Sequence, residues 1–93
     1  MILAWEKRYY RNRIEHTREE ILQILVFKTN ISTEADINKV GFILNSIPTI
    51  IRWNVDRNDT DKVLRIDTTE RLNTSSIIQS INEAGFFCEE MTD

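Results

Sequence analysis

Cys88 is the single thiol and His16 the single imidazole of this 93-residue chain, and these two residues limit the chemistry open to it. One cysteine cannot form an internal disulfide, nor a Cys₂ or Cys₄ metal site within one chain. Glu89, Glu90 and Met91 beside it supply no base for activation, so Cys88 is expected to pack as a small hydrophobe. His16 has no Asp, Ser or Cys at a helical spacing that would complete a dyad, and a solvated histidine is expected. Two glycines and one proline leave no glycine-rich phosphate loop. The remaining donors of interest are Thr33 and Asp36, just ahead of an apolar stripe. Ser32 or Thr33 suits a helix cap there, with Glu34 and Asp36 placed near the positive end of the helix dipole. Nowhere do a nucleophile, an acid–base pair and an orienting group come together, so no enzyme is expected.

The elements that position these residues are readable from residue 21 onward. Ile21 to Thr29 is nearly continuous, β-branched and aromatic, which is the pattern of a central strand. Asn30 to Thr33 breaks it. Ile37, Val40, Leu44 and Ile47 then share one face of a helix that Pro48 stops. Ile51, Trp53 and Val55 alternate with Arg52, Asn54 and Asp56, a half-buried strand with Trp53 pointing inward. Beyond the polar turn 57–61, Val63 to Thr68 returns with Leu64 and Ile66 on one side and Arg65 and Asp67 on the other. Asn73 or Thr74 caps a second helix with apolar positions at Ile77, Ile78, Ile81 and Ala84, and Gly85 suits its left-handed end. Phe86-Phe87-Cys88 reads as a short last strand before an acidic tail from Glu89 to Asp93. The order β-α-β-β-α-β, with one buried stripe per helix, predicts an α+β fold: a ferredoxin-like two-layer sandwich with an antiparallel sheet.

Composition narrows the rest. Apolar residues at 41% and charged residues at 29% suit one globular domain. Lys plus Arg number 12 against 15 Asp plus Glu, a net charge of −3, which disfavours a nucleic-acid partner. No apolar run approaches the ~20 residues of a membrane span, and Ile2-Leu3-Ala4 is too short for a signal peptide. A cytoplasmic protein is the expectation. Residues 1–20 differ from the remainder: they hold five Lys/Arg and four Glu with Trp5, Tyr9 and Tyr10. A helix is predicted over 4–18, as an N-terminal extension to a domain spanning 21–93 that folds without it. The extension is expected to be solvated, its other reading being a contact arm for an acidic partner, a nucleic acid or a second copy.

From residue 22 to 91 the chain resembles the heavy-metal-associated domain, the copper- and zinc-carrying module of metallochaperones and metal-transporting ATPases. The resemblance rests on the strand ending in Phe27, on Ile31, and on the stripe Ile37, Val40 and Leu44. It rests also on the strand Trp53 to Asp56 and the close Ile81-Asn82-Glu83-Ala84-Gly85-Phe86. It implies the same fold. The family's metal loop, M-x-C-x-x-C, falls on Ile31-Ser32-Thr33-Glu34-Ala35-Asp36, so both cysteine positions are replaced, by Thr33 and Asp36. A hydroxyl and a carboxylate are hard donors and do not substitute for thiolates on a soft ion such as Cu(I).

Other users of this fold fit less well. Acylphosphatases place an arginine and a glycine-containing cradle after the first strand, and Thr29 to Thr33 has neither. The Pro-Gly of amino-acid-sensing ACT domains is also missing there. The expectation is a non-enzymatic interaction module without a cofactor, meeting an unknown protein partner or a second copy of itself. The alternatives are a weak metal carrier, using Cys88 or the Thr33–Asp36 loop across two chains, and a small-molecule sensor.

Overall fold

The computed structural model describes residues 21–91, and the helix predicted over 4–18 lies outside the described residues. Six elements follow one another: β1 (Gln23–Thr29), α1 (Glu34–Leu44), β2 (Ile50–Asp56), β3 (Val63–Thr68), α2 (Thr74–Glu83) and β4 (Cys88–Glu90). The four strands form one sheet in the order β2-β3-β1-β4, and every neighbouring pair is antiparallel. This is the expected ferredoxin-like sandwich. The β-branched, aromatic run of β1 occupies an interior position between β3 and β4, as its composition requires.

Alternation along the strands divides the sheet into two faces. Leu25 and Phe27 of β1 and Leu64 and Ile66 of β3 point to the helices, where Val40, Leu44, Ile77 and Ile81 meet them in one core. Phe27, Leu44, Leu64, Ile66 and Ile81 are fully enclosed, and each contributes roughly 1.5–3 kcal/mol by leaving water. Gly41 permits a close approach at the edge of this core. A Cβ there would lie 3.1 Å from Cζ2 of Trp53, whose indole N–H donates to Asn45 Oδ1 at 2.9 Å. Trp53 therefore packs inward, against the core, as its strand position predicts.

Three details depart from the sequence reading. Helix α1 ends at Leu44, not at Pro48. The residue before a proline is disfavoured in helical geometry, and the chain tightens early through Ser46 N–H to Ile43 O and Ile47 N–H to Leu44 O. Ile47 still packs on the core from outside the helix. The last strand begins at Cys88, because Phe86 is used to close α2. Gly85 adopts φ +103°, its N–H donates to Asn82 O at 2.9 Å, and the Phe86 N–H donates to Ile81 O at 3.2 Å. That is a Schellman ending, with Phe86 and Ile81 as its buried apolar pair. Finally, Asp67 points away from the helices yet is only 2% exposed. A register irregularity between Ile50 and Arg52 brings Arg52 opposite it, and the two side chains bond.

Candidate functional site

The β1–α1 loop is where the resemblance places a metal, and its residues are tied to one another. Ile31 is fully buried, so the apolar position of the motif anchors the loop to the core. Thr33 has extended backbone geometry and is the N-cap of α1. Its hydroxyl accepts the Asp36 N–H at 3.0 Å. In return Asp36 Oδ2 accepts the N–H groups of Ser32 at 3.0 Å and Thr33 at 3.1 Å. The two side chains form a reciprocal capping box, in which Asp36 does what Glu or Gln more often does. The Ser32 and then the Thr33 N–H groups hold the Asp36 carboxyl below its ordinary value of 3.8. A carboxylate that accepts backbone N–H bonds is favoured in its charged form.

The rest of the loop is equally occupied. Thr29 Oγ1 donates to Lys62 O at 2.6 Å and accepts the Ile31 N–H at 3.1 Å. Asn30 Oδ1 accepts the Phe87 N–H at 2.9 Å, joining the loop to the approach of β4. Arg57, from the end of the β2 strand, donates to Ser32 O at 3.3 Å and stands 3.9 Å from Glu34. A guanidinium thus sits at the mouth of the loop. Nothing in the sequence marked Arg57 out, since the turn that carries it is remote in the chain and approaches only when β2 pairs with β3.

Thr33 and Asp36 are brought together; Cys88 is not. Its Cα partner across the sheet is Thr29, and its side chain belongs to the buried core cluster. Burial pushes its thiol up from 9.0 to about 11, the behaviour of a packing cysteine and not of a nucleophile. His16 lies outside the described residues. Among the described residues no group of three or more His, Cys, Asp or Glu is placed to hold a metal ion. A groove of about 600 Å³ runs between α1 and the edge strand β2, lined by Glu34, Ile37, Asn45, Trp53, Val55 and Arg57 among others. No helix among the described residues is long and apolar enough to cross a membrane.

The chain is similar in fold to the yeast copper transporter domain CCC2A, a structure solved in apo and Cu(I)-loaded states. The two superpose with a TM-score of 0.63 over 75% of this chain and 96% of that one, at 15% sequence identity. At that identity the likeness is one of fold. No protein-family model and no curated protein sequence matches the chain.

Proposed function

We propose that this chain is a non-catalytic domain of the heavy-metal-associated fold that works by contacting another protein, its first loop no longer carrying soft metal ions. The observation that supports this is the reciprocal cap: the Thr33 hydroxyl and the Asp36 carboxylate stand at the two thiolate positions, and both are spent on backbone N–H groups. A Cu(I) ion would meet a hard donor pair and would have to displace these bonds to reach it. Arg57 at the loop mouth adds a fixed positive charge where a cation would approach. Cys88 offers no replacement, since its thiol faces the core and resists ionisation. The folding unit in this reading is 21–93, with residues 1–20 as an extension.

The test is competition against a chromophoric Cu(I) chelator, with the mass in solution measured on the same sample. The chelator should keep its copper. Stoichiometric withdrawal of Cu(I) by the monomer would overturn the proposal, and withdrawal only by a dimer would point to a site shared between chains.

A further inference from the structure

Among the described residues, the two helices close one face of the sheet and no second layer covers the other. On that open face β1 presents Ile24, 50% exposed, and Val26, half-buried. Met91 continues the β4 edge through its N–H to Val26 O at 2.8 Å, which sets its side chain beside Val26, and it is 37% exposed. Leu22, two residues before Ile24 and in phase with it, is 57% exposed. These form a contiguous apolar run on the central strand, where a lone βαββαβ domain would be expected to alternate to polar residues. The flanks are charged: Glu89 of β4 is exposed on this face opposite Lys28, and Asp67 of β3 is clasped by Arg52 and Arg65.

We propose that this face is the docking surface for the chain's own residues 1–20. Three facts support this occupant. First, the segment is joined to Ile21 with no linker, a few residues from Ile24, so its local concentration at the face is of the order of millimolar. A free second copy at micromolar concentration competes poorly with a tethered segment. Second, the segment holds Leu3, Trp5, Tyr9, Tyr10 and Ile14, large side chains in need of an apolar surface. The core beneath the helices cannot receive them, because Phe27, Leu44, Leu64, Ile66 and Ile81 already fill it. Third, its charge is complementary: it nets +1, while the chain from residue 21 nets −4 and Glu89 borders the patch. A stretch of 15 residues as a helix measures about 22 Å, and four strands span about 14–15 Å between the outer two. The segment is long enough to cross the whole sheet. Docked there, it would turn the two-layer sandwich into three layers and decide whether a partner meets the open face or the arm.

The experiment uses the full chain. Ile24→Cys, and separately Met91→Cys, is labelled with a benzophenone maleimide and irradiated at low micromolar concentration; buried Cys88 takes up label slowly. Phe42→Cys, at an 85% exposed position on α1, is the reference. The proposal expects adducts to peptides from residues 1–20, roughly tenfold or more above the Phe42→Cys yield, in the monomer and independent of concentration. Arm adducts no more abundant than at Phe42→Cys would overturn it. So would adducts that appear only between ¹⁵N-labelled and unlabelled chains, which would make a second copy the occupant. The Met91→Cys variant answers the question if Ile24→Cys perturbs the strand. None of these outcomes depends on metal binding, so the reading of the loop stands or falls separately.

Discussion

Arg52 donates from Nε to Asp67 Oδ2 at 2.8 Å, across neighbouring strands and on the side of the sheet away from α1 and α2. Arg65 donates to the other oxygen at 3.0 Å. The side chain of Arg52 is 13% exposed and that of Arg65 is 54% exposed, so the two bonds are unequal. Removing the carboxylate takes the Asp67 charge away from a nearly buried guanidinium. Asp67→Ala should therefore cost about 3–5 kcal/mol, while Arg65→Ala should cost under ~1 kcal/mol, as for an exposed pair. Urea denaturation of the two variants measures both. Equal losses would show that Arg52 is not what holds Asp67.

Thr33→Cys with Asp36→Cys should create a soft-metal site, if these are the positions of the family's two thiolates. One sulfur would sit in the loop and the other on the first helical turn, where the helix N-terminus favours thiolate. Loss of the Thr33 cap should cost about 0.5–2 kcal/mol, and the fold should survive, because Ile31 anchors the loop. Cu(I) affinity, read by chelator competition, should rise by orders of magnitude in the double variant and far less in either single one. A folded double variant with no gain would break the correspondence between this loop and M-x-C-x-x-C.

Cys88 gives the chain an alkaline limit. Burial raises its thiol from 9.0 to about 11 in the folded state. A folded value above the unfolded one means that the contribution is complete below the unfolded value and is lost as pH rises through the folded one. Stability should thus fall between pH 9.0 and about 11, and Cys88→Ala should flatten that part of the profile while lowering it throughout. Thermal melts across this window check the slope. An unchanged slope in the variant would assign the loss to other groups. Iodoacetamide at pH ~8 should modify the native thiol far more slowly than the unfolded one.

The phase of α2 can be tested by neighbours. Ile81 is fully buried and Asn82 is exposed. Ile81→Ala should cost about 2–5 kcal/mol, and Asn82→Ala should stay within about 0.5 kcal/mol. Denaturant midpoints at equal slope settle it, and similar losses at both positions would contradict the observed packing.

Element positions were legible where periodicity and punctuation agree. The stripe Ile37, Val40 and Leu44, a cap at Ser32 or Thr33, and Gly85 at the end of α2 all follow from local rules; the stripe and Gly85 are found where those rules put them, and Thr33 is the one of the two that caps. What was not legible depends on partners distant in sequence. The strand pattern of β3 gives Asp67 a direction but cannot show that Arg52 folds over it, since that requires the irregularity in β2. Phe86 looks like a strand residue from its type, and only the bond to Ile81 assigns it to the helix ending. The Thr33–Asp36 pair was legible as a cap. The approach of Arg57 to Ser32 was not, because a turn's destination is set by the pairing of the strands it joins.

The strand order also governs how the chain can assemble over time. β2 and β3 meet across a short turn, with Asp56 opposite Val63, so their hairpin closes over little chain. β1 must wait. Its neighbours are β3 and β4, and Phe27 pairs with Glu90 across nearly the whole described chain. Closing so large a loop costs entropy before any contact rewards it, which places folding among the slower, non-local topologies. During synthesis β1 leaves the ribosome first and finds its last partner last. Until Cys88 to Glu90 has emerged, the apolar strand running from Gln23 to Thr29 keeps one edge unpaired, an interval in which it is open to chaperones and to the same strand of another nascent chain.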